Sequence, residues 1–431
     1  MSDSKQTPQS SRRRFLRVSS SAAAGTVLAA NMQFPSITLG KPISKKLKVG
    51  LIGCGGRGTG ATAQAMKADS NVELWSLGDL FPEQIERSSQ ILQKEVGEQF
   101  NVNPIHKYTG FEAYKRVIYS GVDIVLLATP PHFRPMHMQA CIDNDKHVFV
   151  EKPVAVDATG VRMVRDAGKK AAKKGLSVVS GLCWRYETHM QDMIRRLQDG
   201  AIGDIRTVES TRYSRGVAKL TERTPGMSDM EYQMRNWYYY TWLSGDFIVE
   251  QFVHELDKVS WLLGKYPESV IASGGRIART SEKYGHIYDH FNAIFEYDDG
   301  VKFYANTRHE PDTDSARYDI AYGSDGICDL MKYTITGKNR FRLRESRTNM
   351  HQLEHNEMYA ALRSGNIINN TDYMADSTLL GIMARESAYT GKRLTWKQML
   401  NSKQNLNPPS YNWDQKLPDP PVAKPGVTPF V

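Results

Sequence analysis

Residues 49–58 read Val49-Gly50-Leu51-Ile52-Gly53-Cys54-Gly55-Gly56-Arg57-Gly58, an apolar run that ends in a G-x-G-x-x-G turn. The turn passes into 59–67, a stretch of helical character. Strand, glycine turn and helix in that order form the context in which a backbone can cradle a pyrophosphate. Gly53 permits the tight turn, Gly55 lets the backbone approach the phosphates and Gly58 allows close helix packing, while Gly56 and Arg57 complete the loop. The helix N-terminus adds partial positive charge. The next strand, 72–77, runs on to Asp79, 21 residues beyond Gly58. A carboxylate there accepts both hydroxyls of an adenosine ribose and repels a 2′-phosphate, so the spacing predicts NAD rather than NADP.

The pattern extends outward. An amphipathic helix is predicted at 82–96, a buried strand at 122–127, a helix from His137, a fourth strand at 147–150, a helix at 160–174 and a closing strand at 177–180. Strands alternating with helices predict an α/β fold: an N-terminal Rossmann doubly wound parallel sheet over 46–180. After about residue 204 the strands alternate in polarity and are joined by turns such as Tyr297-Asp298-Asp299-Gly300. Segments 205–213, 270–276, 290–297, 301–306 and 318–322, with helices at 355–364 and 377–390, predict a C-terminal α+β domain over 181–400 with a large, mainly antiparallel sheet. A proline-rich tail, 401–431, follows without regular structure.

The net charge of +9 suggests nucleic acid until it is located. Lys5, Arg12, Arg13, Arg14 and Arg17 against Asp3 supply four of the nine charges before residue 34, and no basic run follows. Nucleic-acid binding is therefore excluded. The arginines precede a weakly apolar stretch, 18–30, which is the layout of a secretory signal and too short to be a membrane span. Ser11-Arg12-Arg13-Arg14-Phe15-Leu16 resembles a twin-arginine (Tat) signal, which implies engagement of the Tat translocase, cleavage near Ala30, removal of 1–33 and a periplasmic location. The four cysteines, Cys54, Cys141, Cys183 and Cys328, show no metal-ligand spacing and are expected to be buried free thiols.

Glu151-Lys152-Pro153 follows the fourth strand directly. Ligands of such sheets bind at the carboxyl ends of strands, so Lys152 should lie beside a nicotinamide and stabilise a developing alkoxide. A second cluster is Glu250-Gln251-Phe252-Val253-His254-Glu255-Leu256-Asp257. On one helix Glu250, His254 and Asp257 would share a face, giving a histidine base tuned by carboxylates. H-E-x-x-H is absent, so no metal site is assigned. Asn236-Trp237-Tyr238-Tyr239-Tyr240-Thr241-Trp242 offers aromatic faces, with Trp237 and Tyr238 as candidate substrate contacts, though core packing explains such a run equally well. His286, Tyr288 and His290 would lie on one strand face, and a solvated or subunit-facing strand is the simpler reading than a metal site.

Taken together, the glycine turn, Glu-Lys-Pro and a carboxylate-x-x-x-His helix resemble the Gfo/Idh/MocA family of NAD(P)-dependent oxidoreductases. The likeness runs over about 46–400 and includes Ala128-Thr129-Pro130-Pro131-His132, Trp184-Arg185-Tyr186 and Tyr389-Thr390-Gly391-Lys392. It implies that Lys152 and His254 act at the substrate, that Thr129, Pro130, His132, Glu151, Lys152 and Arg185 join the glycine turn and Asp79 around the cofactor, and that Asp257 assists substrate binding. It also implies a homo-oligomer. Two positions depart from the family pattern. Glu250 stands where the family usually has Asp, moving the charge by about one bond, and Arg134 stands where His is usual, free to hold phosphates or a substrate acid. The resemblance implies hydride transfer from a sugar, glycoside or polyol hydroxyl to a cofactor retained through export. A redox-neutral NAD-dependent glycosidase, working by oxidation and elimination, is the alternative, although family members of that kind lack the lysine found here at 152. A non-catalytic sugar- or cofactor-binding protein is the third reading, and intact Lys152 and His254 argue against it.

Overall fold

The computed structural model describes the backbone at 36–39 and the chain over 41–217 and 220–431. The signal-type segment expected at 1–33 lies outside the described residues. No helix among the described residues is long and apolar enough to cross a membrane.

Two sheets organise the chain. The first has eight strands in the order Ser36–Leu39, Asn366–Asn369, Val178–Ser180, His147–Val150, Ile124–Leu127, Leu47–Ile52, Val72–Asp79 and Lys107–Thr109. All its pairings are parallel except that of the outermost Ser36–Leu39 with Asn366–Asn369. Its inner strands are apolar along their length because helices cover both faces, and every residue of Ile124–Leu127 is buried. The segment 177–180, expected to close the sheet, instead pairs with Asn366–Asn369, a strand supplied from late in the chain. The helices follow local rules. Pro82–Val96 starts on proline, carries Glu83 in its first turn and Lys94 in its last, and buries Ile85, Ser88, Ser89 and Leu92 along one face. Ala158–Lys174 is capped by Asp157, whose Oδ1 accepts the Gly160 amide at 2.7 Å, and ends at Gly175 with φ 67°. Removing that cap costs about 1 kcal/mol.

The second sheet has nine strands in the order Phe341–Arg342, Thr334–Gly337, Gly326–Asp329, Ala316–Gly323, Ile205–Ser214, Lys302–His309, His290–Glu296, Ser269–Gly275 and Leu394–Thr395. It is mixed: Ile205–Ser214 runs parallel to Lys302–His309, and the remaining pairs are antiparallel. The turn at 297–300 joins two paired strands, with Gly300 at φ 83°. Helix Thr371–Thr390 packs against both Ala158–Lys174 and the strand Ser269–Gly275. Every residue from Tyr373 to Thr390 is buried, which is why the helix has no polar stripe. Gly168 permits its close approach, since a Cβ there would collide with the Thr371 side chain. The four cysteines are buried and unpaired. Beyond 400 the chain has no regular structure, and its first residues are tied to the start of Ala158–Lys174, with Thr159 Oγ1 donating to Gln404 O at 2.8 Å and the Leu406 amide to Asp157 Oδ2 at 2.8 Å.

Candidate functional site

A cavity of about 560 Å³ opens where the carboxyl ends of the first sheet's strands meet the segments 217–239 and 250–254. Gly53, Gly55, Gly56, Arg57, Gly58, Asp79, Thr129, Pro130, Glu151, Lys152, Trp237, Tyr238, Glu250 and His254 all line it, so one wall joins residues distant in sequence.

The glycine turn is built as the sequence requires. Gly53 has φ 97°, and a Cβ there would strike the backbone of Ala128 and Thr129 at 2.6 Å. A Cβ at Gly58 would collide with the Gly53 carbonyl oxygen, whereas at Gly55 and Gly56 it would meet nothing and project into open space. That bare cradle at the head of helix Gly56–Ala68 fits a pyrophosphate. Asp79 accepts the Cys54 amide at 2.7 Å on Oδ2 and the Phe81 amide at 2.9 Å on Oδ1, locking the carboxylate beside the turn. Burial pushes its pKa up, against those amide hydrogen bonds. The Thr129 hydroxyl is buried without a partner. The open glycine cradle, the fixed carboxylate of Asp79 and the unpartnered Thr129 hydroxyl fit NAD.

Arg57 Nε donates to Glu151 Oε1 at 2.5 Å and Nη2 to Gln64 Oε1 at 2.9 Å, with Glu354 Oε1 at 3.5 Å. Its burial, which lowers its pKa, is outweighed by the two carboxylates, so the guanidinium holds its proton firmly. Glu354 is fully buried, and burial with the nearby Glu151 charge lifts its carboxyl well above the usual range. His351 lines the cavity beside this group. Neither residue has a local signal in the sequence; Glu354 lies 297 positions from Arg57 and meets it only in the fold.

Lys152 Nζ donates to the Glu250 carbonyl oxygen at 2.7 Å and to Glu250 Oε1 at 3.2 Å. The helix expected to carry Glu250, His254 and Asp257 is broken: Phe247–Glu250 ends and Val253–Leu263 begins after an interruption at 251–252. The cause lies in the carbonyls. Glu250 O is taken by Lys152, and Gln251 O accepts Arg212 Nη1 at 2.9 Å, so neither closes a helical turn. His254 is held neutral, because burial and then the Lys152 charge push its pKa well below the ordinary value. The imidazole is thus unprotonated and has a lone pair free for a hydroxyl proton, while its lowered pKa makes it a weak base in the state described.

Four expected residues lie elsewhere in role. Asp257 and Arg185 form a buried bidentate pair, Nη2–Oδ1 2.8 Å and Nε–Oδ2 3.1 Å, and neither lines the cavity. His132 turns away, its Nε2 2.7 Å from the Tyr411 hydroxyl, and burial drops its pKa to about 3. Arg134 reaches the cavity wall, but its Nε donates to Thr129 O and its Nη1 to the carbonyls of Glu151 and Pro153, stapling the two strand-end loops together. Of the aromatic run, Trp237, Tyr238 and Tyr239 line the cavity, while Trp242 packs edge-on against His132. His286 and Tyr288 fall outside the strand that begins at His290; His286 Nε2 accepts the Thr241 amide at 3.4 Å.

Residues 47–182 match the oxidoreductase family with NAD-binding Rossmann fold, and residues 190–329 match the GFO/IDH/MocA C-terminal domain. The chain belongs to the Gfo/Idh/MocA oxidoreductases. Among curated relatives of this family, the 2,7-anhydro-N-acetylneuraminate hydratase of Escherichia coli (strain K12) is 27% identical over 42% of this chain and 44% of its own. The myo-inositol 2-dehydrogenase of Thermotoga maritima is 22% identical over 53% of this chain and 58% of its own. The chain thus matches about half the length of these relatives. Among solved structures, the WlbA dehydrogenase of Bordetella pertussis, in complex with NADH and UDP-GlcNAcA, superposes with a TM-score of 0.62 at 19% identity, covering 81% of this chain and 99% of that one. The Gfo/Idh/MocA architecture, a parallel Rossmann sheet followed by a mixed, mostly antiparallel one, is what the two sheets here form.

Proposed function

We propose that this Gfo/Idh/MocA member is an NAD-dependent dehydrogenase of a sugar, glycoside or polyol hydroxyl. The reading is carried by one observation: Lys152 and a neutral His254 line the cavity into which the bare glycine cradle opens. NAD, held by Gly53, Gly55, Gly56, Gly58, Asp79, Thr129, Pro130 and Glu151, supplies a hydride acceptor. His254 takes the hydroxyl proton, and Lys152 donates a hydrogen bond to the oxygen as its charge grows. The Glu250 carbonyl and carboxylate fix Lys152 from behind. Trp237 and Tyr238 offer an aromatic wall with hydroxyl and indole donors, suited to a face of C–H groups edged by hydroxyls. The twin-arginine pattern at 11–16 supports export of the folded protein with its cofactor aboard, to the periplasm, where a retained nicotinamide would be recycled on the enzyme.

A second reading is a redox-neutral cycle of oxidation, elimination and reduction at the same site. It is favoured by the relative named as a hydratase. One experiment separates the two. Purified protein is analysed for bound nicotinamide and offered a panel of polyols, aldoses and aryl glycosides, while absorbance at 340 nm and aglycone release are followed. Stoichiometric NADH formation supports the dehydrogenase. Catalytic aglycone release without net NADH supports the redox-neutral cycle, and inactivity on the whole panel overturns both.

A further inference from the structure

Asp246 is the one residue of the Ser244–Glu250 segment whose backbone and side chain contradict each other. Its φ of 71° and ψ of 160° lie in a region that essentially only glycine occupies. A β-carbon there is strained, yet the side chain is charged and fully buried. Such a conformation persists only where the surroundings hold it in place, and here they do so on every side.

Asp246 Oδ1 accepts the Phe247 amide at 2.5 Å, and Oδ2 accepts the Tyr288 amide at 2.9 Å and the Tyr389 hydroxyl at 2.5 Å. Its own amide donates to Ser244 Oγ at 3.0 Å. Its carbonyl accepts the amides of Val249 and Glu250, each at 3.0 Å. The preceding Gly245 carbonyl accepts Arg385 Nη1 at 3.1 Å, and the same guanidinium nitrogen reaches Val156 O at 2.7 Å, four residues beyond Lys152. Arg385 is fully buried and therefore ties the loop after Glu-Lys-Pro to the turn that leads into Glu250. Asp246 thus sits between a rigid anchor, Tyr389 and Arg385 on the buried helix Thr371–Thr390, and the short helix whose last carbonyl receives Lys152.

We infer that Asp246 is a positioning residue: its carboxylate, clamped by Tyr389 and Tyr288, sets the orientation of helix Phe247–Glu250 so that the Glu250 carbonyl meets the Lys152 ammonium. This rests on the assignment of Lys152 to the proposed reaction, but the geometry it claims is testable without a substrate. Burial drives the Asp246 pKa up to about 6 against its hydrogen bonds, as expected of a carboxylate kept in the core for what it holds rather than for solubility.

The test uses the full chain without added nucleotide. Lys152 acetylation by acetic anhydride is followed by peptide mass spectrometry, with the fully buried Lys258 as an internal control for general loosening. Asp246→Gly fits the backbone and removes the carboxylate together with the strained β-carbon. Lys152 acetylation is expected to rise at least fivefold while Lys258 stays unmodified. A Lys152 rate within twofold of the parent overturns the inference, and so does a parallel rise at Lys258, because that would mark a merely structural residue. Should Asp246→Gly not give folded protein, Tyr389→Phe, which deletes one clamp hydroxyl, decides by the same two readings. If labelling behaves as expected while the parent enzyme turns over nothing in the substrate panel, the proposed reaction falls and the positioning role stands.

Discussion

Asp257→Ala separates the structural account of the Arg185–Asp257 pair from a role at the cofactor or substrate. Asp257 is 1% exposed and Arg185 8%, with two nitrogens of the guanidinium on the carboxylate and a third hydrogen bond from Ser377 Oγ at 2.8 Å. Arg185 also lies over the Tyr373 ring at 3.9 Å, so it cannot swing into solvent without vacating packed space. Removing Asp257 leaves a desolvated cation with no counter-charge, a loss of about 3–5 kcal/mol, and the stranded Ser377 hydroxyl adds about 1 kcal/mol. Replacing both partners, Arg185→Met with Asp257→Leu, removes the charge and the unmet hydrogen bonds together and should recover most of that loss, so the double variant should be more stable than either single one. Urea unfolding followed by tryptophan fluorescence reads this directly, since Trp261 lies against the Arg185 guanidinium at 5.2 Å. NAD affinity of the folded variants should be unchanged. A cost of less than about 1 kcal/mol for Asp257→Ala, or a marked fall in NAD affinity, would refute the structural assignment.

Other outcomes follow from the cavity. Lys152→Ala and His254→Ala should each lower kcat by about 10²-fold or more while NAD binding, measured by fluorescence titration, changes little; near-normal rates in both would remove them from the chemistry. Asp79→Ala withdraws two amide acceptors, each worth about 1 kcal/mol, and the repulsion of a 2′-phosphate, so NAD should weaken and the NAD-to-NADP affinity ratio should fall by about tenfold or more. An unchanged ratio in paired titrations would contradict its role. Stability should fall on the acid side. Burial lowers the pKa of His132, His137, His309 and His355 to about 3 and that of His286 to about 4. Above pH 6.5 these are neutral in both states and cost nothing. As pH falls through 6.5 the unfolded chain gains protons that the folded chain refuses, about 1.4 kcal/mol per histidine one pH unit lower. Asp246 opposes this only between its folded pKa of about 6 and its ordinary 3.8, where the folded state binds a proton more tightly. Thermal melts from pH 7 to 4.5 should therefore show a steep decline; a flat profile would mean the imidazoles are not held neutral.

The residues of the first sheet announce themselves because parallel strands covered on both faces must be apolar throughout, and Pro82 with its acidic first turn marks a helix start in four letters. The glycine turn is legible for the same reason: backbone geometry there tolerates no alternative at Gly53 or Gly58. What was hidden depends on distant partners. Asn366–Asn369 is too short to be read as the neighbour of Val178–Ser180, and the break at 251–252 has no proline or glycine to signal it, since it follows from Lys152 and Arg212 claiming two carbonyls. Arg185 and His132 match family positions by sequence, but their partners, Asp257 and Tyr411, lie 72 and 279 residues away and draw both side chains from the cavity.

The irregular segment after residue 400 braces the cavity wall from outside. Trp413 packs at a tilt against Phe81, ring centroids 5.8 Å apart, and Phe111, 5.1 Å apart, two residues of the cavity wall, and Tyr411 holds His132 beyond the end of strand Ile124–Leu127. Losing the indole at 413 would take away an aromatic partner of both Phe81 and Phe111, so this part of the cavity wall leans on a segment with no helix or strand of its own.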